Sequence, residues 1–386
     1  MRPILVINSG SSSLKFGLFV AKSGDEHALV RGNADAIGSD SGTLEIVDEQ
    51  GSVLSRETHR FTSQKEALSH ITKQLTAFKY EAPVAVGHRI VHGGPHLVKH
   101  QLITDAVFST LQKSVHFAPL HIPPAVELVR HTEKLYPQVP QFACFDTAFH
   151  QTMPEAAYRF AIPEKYFADG VRRYGFHGLS YASIIHALGK ELPPKTVAAH
   201  LGSGASLVAL ADGQSVDTSM GLTPTGGIPM GTRTGELDPG VPIFLMRNEK
   251  LNADALELLL NHNAGLKALG GTNDMRKLQT ASDAGDHNAQ LAIEIFCRSI
   301  AKTVASYAAV LDGLDLLVFT GGIGEHSSAV RADVCRRLSF LGIALDAERN
   351  ASSSAVISSE AGRAAVRVMP SEEEVQIARE CRKLLP

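Results

Sequence analysis

The feature that most constrains the fold is a strand–turn–strand pattern that occurs near the start of each half of the chain. In the first copy, the β-prone runs Ile4–Ile7 and Leu14–Val20 are joined by a turn rich in glycine and serine. In the second copy, Val197–Leu201 and Leu207–Leu210 flank the small residues of Gly202–Ser206. Two apolar runs joined by such a turn are typical of β-hairpins. The repetition predicts a duplicated, two-lobed α/β protein.

Length and charge agree with this prediction. At 386 residues the chain is longer than a single hydrophobic core usually supports, so we expect two domains. Lys and Arg total 37 against 40 Asp and Glu, which argues against a nucleic-acid partner or an anionic membrane surface. The apolar run at the N-terminus is too short for a signal peptide, and no stretch is long and apolar enough to cross a bilayer. A cytoplasmic location is therefore expected.

The second half of the chain contains two further recognisable elements. Apolar residues recur at helical spacing over Ala289–Leu311, with no proline or glycine between them, which predicts a long helix. Leu316–Phe319 reads as a buried strand that leads into a third glycine-rich turn, Thr320–Gly324. The four cysteines are widely separated and form no CxxC pair, so we expect reduced core thiols rather than disulfides or a zinc site.

The glycine-rich turns around Gly10, Gly202–Gly204 and Gly321–Gly324 all follow apolar runs. Glycine lets backbone N–H groups approach a phosphate closely, and neighbouring hydroxyl groups add donors. The first turn also precedes Lys15, a point charge suited to phosphate. None of the turns has the GxxxxGK[ST] or GxGxxG spacing. Each turn alone is better explained as structural, whereas the three together favour a nucleotide site.

Two arginines occupy unusual settings. Arg89 lies in the apolar stretch Val86–Gly94, where an unpaired guanidinium would be costly. Arg233 lies in Pro229–Glu236, a loop rich in glycine and proline. A buried Arg–Asp pair that ties loops together fits these settings, and so does bidentate contact with carboxylate or phosphoryl oxygens. The residues alone leave both interpretations open.

His177 and Asp146 are further candidates. Glycines flank the Phe176–His177 pair and would leave the histidine ring accessible, although a lone histidine is more often structural. Asp146 ends an apolar run, where a carboxylate can be catalytic or can cap a helix. Taken alone, these residues indicate phosphate chemistry and do not identify a substrate.

Taken in chain order, these segments resemble the acetokinase family, within the superfamily of acetate and sugar kinases, heat-shock chaperones and actin. The matching stretches span nearly the whole chain and are Val6–Lys15, Gly87–Gly94, Phe145–His150, Arg172–Gly178, Met230–Arg233, Phe319–Glu325 and Pro370–Glu374. The resemblance implies a duplicated ribonuclease-H-like (actin-like ATPase) fold with an interdomain cleft. It also implies an N-terminal lobe of residues 1–148 completed by 374–386, and a nucleotide-binding lobe of residues 149–373.

The resemblance also implies an activity. We expect reversible phosphoryl transfer between ATP and acetate, giving acetyl phosphate and ADP, by a homodimer with no nucleic-acid or membrane partner. ATP is the expected co-substrate, and Mg²⁺ is the expected ion, with Mn²⁺ as the alternative. A carboxylate acceptor is ionised at neutral pH, so the chemistry requires alignment and cover for phosphoryl charge rather than a general base.

Site residues follow from the resemblance position by position. The implied catalytic residues are Arg89, Asp146, His177 and Arg233, with His177 stabilising the transition state and Asp146 as the catalytic carboxylate. Our hypothesis is that Asp146 mainly orients an arginine and the incoming acid. The small pocket for the acyl methyl group would comprise Val91, Leu120, Phe176 and Pro224, with Arg89 also contacting the acid. Asn8 and Glu373 would hold the metal. The nucleotide would contact Ser11, Ser13, Lys15, His200, Leu201, Gly202, Ser203, Gly204, Asp274, Met275, Arg276, Gly322, Ile323, Gly324, Glu325 and His326.

Two nucleotide positions depart from the family pattern, since Ser203 and His326 stand where asparagine is common. These departures motivate one alternative, a propionate kinase or a homologue using another phosphoryl donor such as pyrophosphate. Acetate and propionate differ by one methylene, worth about 1–3 kcal/mol of discrimination, so overlap is expected. The alternative from another class is a nucleotide-binding regulator or chaperone-like ATPase on the same fold.

Overall fold

The structure is a computed structural model that describes residues 2–10 and 12–385. The chain forms two compact units, and each contains a mixed β-sheet. The first unit comprises Met1–Phe149, Gly178–Ser183 and Glu372–Pro386, and the second comprises His150–His177 and Ile184–Ser371. The predicted functional lobes stay a prediction, and these compact units differ from them chiefly in grouping Gly178–Ser183 with the first unit.

The strands, in chain order, are β1 (Ile4–Ser9), β2 (Leu14–Lys22), β3 (Asp25–Asp35), β4 (Thr43–Asp48), β5 (Val53–Thr58), β6 (Ala85–Ile90), β7 (Gln101–Leu102), β8 (Gln141–Phe145), β9 (Lys195–Leu201), β10 (Ala205–Ala211), β11 (Gln214–Thr218), β12 (Leu316–Thr320) and β13 (Ala365–Val368). The α-helices are α1 (Gln64–Ala77), α2 (Asp105–Lys113), α3 (Ile122–Leu135), α4 (Glu155–Tyr158), α5 (Glu164–Ala168), α6 (Gly178–Leu188), α7 (Gly240–Asn248), α8 (Ala253–His262), α9 (Gly265–Gly270), α10 (Met275–Asp283), α11 (His287–Val310), α12 (Gly321–His326), α13 (Ser328–Arg337), α14 (Ala347–Ala351) and α15 (Glu373–Leu384). Within the described residues, no helix combines the length and hydrophobicity that a membrane crossing requires.

The two sheets share a five-strand order, as the repeated sequence pattern predicts, and the first sheet has three further strands. The first sheet has the order β5-β4-β3-β2-β1-β6-β8-β7, and the second has the order β11-β10-β9-β12-β13. In each sheet, three successive strands pair antiparallel and the next two are added in parallel: β3-β2-β1 then β6-β8, and β11-β10-β9 then β12-β13. This common order is the structural sign of duplication.

The faces of the first sheet follow from the alternation of side chains along β1. Leu5 and Ile7 point into a core that contains the apolar residues of α1, whereas Ile4 and Val6 pack with those of α15. Because strand side chains alternate between faces, a fully apolar strand must be covered on both sides. Helix α1 meets this need with Ser63 as its N-cap and buried residues at helical spacing.

Both predicted hairpins form: β1 pairs antiparallel with β2, and β9 pairs antiparallel with β10. The predicted long helix is α11, capped by Asp286, and it packs on β9 and β10. The third glycine-rich segment differs from the expected turn, because the chain enters helix α12 directly after β12. Gly321 makes this possible with a φ of +76°, a left-handed conformation that costs glycine little.

Two histidines in the cores make the fold sensitive to acid. His88 Nε2 lies 2.6 Å from Gln141 Oε1, and His150 bonds the Ser215 hydroxyl and the Phe176 carbonyl. Burial lowers the pKa of each histidine to about 4, whereas an unfolded histidine titrates near about 6.5. Between these values the unfolded chain binds more protons, so the free energy of unfolding falls as the pH decreases through this window. The loss is up to roughly 3 kcal/mol per histidine.

Denaturant unfolding at pH 7 and pH 5 measures this effect. We expect the unaltered protein to lose stability at pH 5, and His88→Gln to lose less stability over the same interval because glutamine does not titrate. An equal loss in both proteins would show that His88 is not a source of the acid sensitivity.

Candidate active site

In the first unit, candidate residues meet at the carboxyl ends of three parallel strands. Ile7 of β1 is paired with His88 of β6, and Ile90 of β6 is paired with Phe145 of β8. The carboxyl ends of parallel strands lie at one edge of the sheet, which is a common position for ligand sites. This register brings together the predicted residues Asn8, Arg89 and Asp146.

Arg89 and Asp146 form a buried ion pair. Arg89 Nε and Nη2 both donate to Asp146 Oδ2, at 3.0 and 2.6 Å, and Nη1 lies 3.4 Å from both Asn8 Oδ1 and the Ser9 carbonyl. Asp146 is 0% exposed, and its Oδ1 has no hydrogen-bond partner within the described chain. Burial raises the pKa of Asp146, and the guanidinium opposes that shift. The pair holds the guanidinium in one orientation.

Two adjacent carboxylates from α15 reach the same group of residues. Asn8 Nδ2 donates to Glu373 Oε2 at 3.0 Å and to Glu374 Oε1 at 2.7 Å. Burial, followed by the charge of Glu373, raises the pKa of Glu374, and Lys15 opposes the shift. Glu374 was not among the predicted ligands, although its place beside Glu373 at the start of a helix could have identified it.

The first glycine-rich turn is placed by the β1–β2 hairpin. Lys15 is opposite Asn8 in the register, and its side chain is exposed. Gly10 N donates to the Ser13 carbonyl at 2.9 Å and closes the turn. Ser11, another predicted phosphate contact, lies outside the described residues. The described part of this turn is compatible with phosphate contact, and the predicted roles of Ser13 and Lys15 stay predictions.

In the second unit, His177 and Arg233 converge on the second glycine-rich turn. A Cβ atom placed on Gly204 would lie 3.2 Å from His177 Nε2 and 3.4 Å from Arg233 Nη1. Because glycine has no side chain, both polar groups can approach the turn closely at this position. Arg233 Nη1 also donates to the Pro224 carbonyl at 3.0 Å.

The histidine is held by its own surroundings. His177 Nδ1 lies 2.8 Å from Ser206 Oγ, and its ring stacks on that of His200 with centroids 4.2 Å apart. His177 also has a φ of +57°, which costs a non-glycine residue about 1–3 kcal/mol and is typical of functional positions. Nδ1 and Ser206 Oγ share one hydrogen bond, and Nε2 is the ring nitrogen that faces Gly204.

A cavity of about 690 Å³ in the second unit contains half of the predicted nucleotide contacts. This volume is within the range of small-molecule and cofactor sites. The predicted residues that line it are Gly202, Ser203, Asp274, Met275, Arg276, Gly322, Ile323 and His326. The lining residues that the sequence did not suggest are Asn273, Gln279, Thr280, Ser327, Ser328 and Ala329. Most of these flank predicted segments or lie one helical turn beyond them, which is the signal that could have found them.

Besides Gly204, four predicted nucleotide contacts of the second unit do not line the cavity. Leu201 is buried at the end of β9, and His200 stacks on His177. The Gly324 carbonyl accepts a hydrogen bond from Arg331 Nη1 at 2.8 Å. Glu325 Oε1 accepts from the backbone N–H groups of Gly321 and Ser371, at 3.0 and 3.2 Å. These residues hold the wall in place.

The four residues predicted to hold the acyl methyl group are divided between the units. Half-buried Val91 and exposed Leu120 belong to the first unit, and buried Phe176 and Pro224 belong to the second. Their assembly into one pocket stays a prediction. Within the second unit, Pro224 is linked to Arg233 through the hydrogen bond to its carbonyl.

Comparison with known proteins supports the family resemblance and the predicted fold. The sequence profile of the acetokinase family matches residues 3–379. Acetate kinases of Carboxydothermus hydrogenoformans and Deinococcus radiodurans are 39% and 42% identical, over 99% and 97% of this chain and 99% and 96% of their own. A propionate kinase structure from Francisella tularensis has a TM-score of 0.93 at 37% identity, and the Porphyromonas gingivalis acetate kinase structure has a TM-score of 0.87 at 36% identity, each covering 100% of both chains. The predicted duplicated, actin-like α/β fold is thereby confirmed. The chain belongs to the acetokinase family.

Proposed function

We propose that this chain catalyses reversible phosphoryl transfer between ATP and acetate, giving acetyl phosphate and ADP. The observation that carries the proposal is the convergence of His177 and Arg233 on Gly204, in the same turn as Gly202 and Ser203 of the cavity wall. A nucleotide bound in the cavity would have its terminal phosphate directed toward cationic and hydrogen-bonding groups. Family membership supplies the acid as the acceptor.

The side chains fit the charge that develops during transfer. The transferring phosphoryl group has charge on its equatorial oxygens, and the protein must position and stabilise it. Arg233 offers a planar fork of N–H donors. His177 directs Nε2 to the same turn, and with a proton on that atom it would donate to a phosphoryl oxygen. Arg89, fixed by Asp146, is the proposed partner of the acid and of the phosphoryl group. Each group donates hydrogen bonds and none forms a covalent intermediate.

Asp146 is proposed as a positioning residue rather than a general base. The acetate carboxylate has a pKa near about 4 and is ionised at neutral pH, so no proton must be removed before attack. Both short bonds of Asp146 are directed to Arg89 through Oδ2. The carboxylate therefore keeps the guanidinium oriented and compensates its charge in a buried setting.

Mg²⁺ is the proposed ion, with Mn²⁺ as the alternative, held through Asn8 and Glu373 with Glu374 beside them. Both carboxylates accept hydrogen bonds from the Asn8 amide group, and their mutual repulsion contributes to the raised pKa of Glu374. A divalent cation would relieve this repulsion. Within the described chain, no cluster of three His, Cys, Asp or Glu residues could hold a metal alone, which suits an ion completed by phosphate and water. When bound, the ion would neutralise phosphate charge.

A homodimer is the proposed assembly, and an apolar surface on the second unit supports it. Helices α7 and α8 have no fully buried residue, yet they expose large apolar side chains. This α7–α8 surface consists of Leu237, Val241, Ile243, Phe244, Met246 and Leu258. Phe244 is 59% exposed and Leu258 is 55% exposed, and clustered exposure of this kind marks interaction sites. A second copy of the chain is the proposed occupant.

Phe244→Glu should convert the dimer to a monomer, because a charge buried at a self-complementary apolar interface has no partner. Sedimentation or light scattering measures the mass. Phe340→Glu is the matched control, since Phe340 is 68% exposed and lies outside the α7–α8 surface. Dimeric Phe244→Glu protein would show that this surface is not the interface.

Cytoplasmic action is also proposed, since ATP is available there. All four cysteines are buried and free, as a reducing compartment allows.

Steady-state rates with acetate, propionate and butyrate against ATP, GTP and pyrophosphate test the proposed function, with hydroxylamine to trap the acyl phosphate. We expect acetate with ATP to give the highest kcat/KM. The similarity to a propionate kinase structure favours propionate as the second acid. Preference for propionate would change the proposed acceptor, and preference for pyrophosphate would replace ATP as the donor. Absence of trapped product with every pair would overturn the proposal.

A further inference from the structure

The largest fully buried side chain among the described residues is a cation with no carboxylate partner. Arg331 lies on α13 and is 0% exposed. Its guanidinium nitrogens donate to three backbone carbonyls, one side-chain amide oxygen and one hydroxyl. Burial lowers the pKa of Arg331, as expected for a charge compensated only by dipoles. Such an arrangement is costly in free energy and calls for an explanation beyond packing.

The guanidinium is bonded to the segment that forms one wall of the nucleotide cavity. Nη1 donates to the carbonyls of Gly324 and Glu325 at 2.8 and 2.9 Å. These carbonyls belong to α12, whose residues Gly322, Ile323 and His326 line the cavity. Carbonyl groups at a helix C-terminus have partial negative charge, so a cation is favourable there. Arg331 itself is not in the lining of the cavity.

The other nitrogens anchor Arg331 to α14 and the turn that follows it. Nε donates to Asn350 Oδ1 at 2.9 Å, and Nη2 donates to the Asn350 carbonyl at 2.7 Å and to Ser353 Oγ at 3.0 Å. Asn350 in turn donates to the Ser328 carbonyl at 2.9 Å. One guanidinium therefore joins α12, α13 and α14, and only its planar fork can make these bonds together.

The wall is also fixed at its other end. Glu325 Oε1 accepts from Gly321 N at 3.0 Å, which closes α12 on its first residue. A Cβ atom on Gly321 would lie 2.8 Å from the Leu201 carbonyl, so this residue is pressed against the end of β9. Displacement of the Glu325 backbone would thus be transmitted to Gly321 and to the turn that contains Gly202 and Ser203.

We infer that Arg331 is a positioning residue for the nucleotide, which holds the Gly322–His326 wall in its binding geometry without touching the ligand. The inference rests on the proposed function, since it assigns the cavity to ATP. Misplacement of positioning groups by about 1 Å can lower a catalysed rate about 10²-fold. We expect displacement of the wall to weaken nucleotide binding by the same loss of geometry. The residues proposed to contact the acid lie outside the Gly322–His326 wall, so the KM for acetate should change little.

The test uses the full chain and Mg-ATP as the probe, with calorimetry for the Kd, thermal unfolding for the Tm, and the KM of each substrate. Arg331→Lys keeps the charge and loses the fork. Asn350→Ala removes one acceptor of Arg331 and the donor to the Ser328 carbonyl, and it changes no residue of the Gly322–His326 wall. It is the second variant if Arg331→Lys does not fold. Arg337→Met is the matched control, because Arg337 is on the same helix and pairs with Asp333 at 2.9 Å, away from Gly324 and Glu325.

We expect Arg331→Lys to raise the Kd for Mg-ATP about tenfold or more. We expect less than about a twofold change in the KM for acetate, and a smaller increase in the Kd for Asn350→Ala. Arg337→Met should lower the Tm without changing the Kd. Unchanged Kd values in Arg331→Lys and Asn350→Ala, with normal binding by the unaltered protein, would overturn this inference alone. Failure of the unaltered protein to bind Mg-ATP would overturn the proposed function and this inference together.

Discussion

Arg89→Ala should lower kcat/KM for acetate by about 10²–10³-fold, the usual effect of removing a donor that stabilises transition-state charge. It should also destabilise the protein, because Asp146 is 0% exposed and would lose its only charged hydrogen-bond donor among the described residues. Breaking a buried ion pair by removing one partner costs about 3–5 kcal/mol. The pKa of Asp146 is already raised by burial and would rise further, so protonation would limit the loss. Steady-state kinetics and denaturant unfolding measure the two effects.

Two comparison variants separate charge from orientation. Arg89→Lys keeps a positive charge and cannot make both bonds to Asp146 Oδ2. We therefore expect it to retain part of the stability that Arg89→Ala loses and to have low activity. Asp146→Asn keeps the shape and one side-chain acceptor oxygen but removes the negative charge, and we expect a loss of activity smaller than that of Arg89→Ala. Full kcat in Asp146→Asn would exclude an orienting role for Asp146, and full kcat in Arg89→Ala would remove Arg89 from the site.

Arg233→Ala should reduce kcat by about 10²–10³-fold, the usual effect of removing a donor that stabilises transition-state charge. Arg233 is half-buried, donates to the Pro224 carbonyl at 3.0 Å and lies beside Gly204. Steady-state kinetics measure the loss, and thermal unfolding of the same preparation shows that the variant is folded.

Arg367→Ala is the matched control for Arg233→Ala. Arg367 lies on β13 in the same unit and pairs with Glu191 at 2.9 Å, so its removal deletes an arginine without touching the site. We expect normal kcat for this control. A normal kcat in Arg233→Ala as well would show that the guanidinium beside Gly204 does not act on the phosphoryl group.

The parts of the fold that the sequence predicted are those with local signals. Apolar runs joined by small residues predicted β1–β2 and β9–β10, and an uninterrupted helical period predicted α11. The Gly321 segment was expected to be a turn and is helical, because glycine content marks backbone freedom and does not specify how the chain uses it. The composition of a turn identifies its place more reliably than its conformation.

The sequence predicted those site residues that are charged side chains within apolar stretches. Arg89 and Asp146 were each conspicuous, and the structure pairs them. Glu374 and the further cavity residues were missed, because a run of acidic or polar residues does not reveal which side chain points inward. Arg331 was missed for a stronger reason: its partners lie from 6 to 22 positions away and most are backbone carbonyls, which have no sequence signature.

The central claim is tested most directly by ³¹P NMR of the unaltered protein with Mg-ATP and acetate. The proposed function predicts that the γ-phosphorus signal of ATP declines while an acyl phosphate signal rises in equal amount, only when acetate is present. Release of inorganic phosphate at a rate independent of acetate, with no acyl phosphate, would contradict it and indicate an ATPase of another class on the same fold.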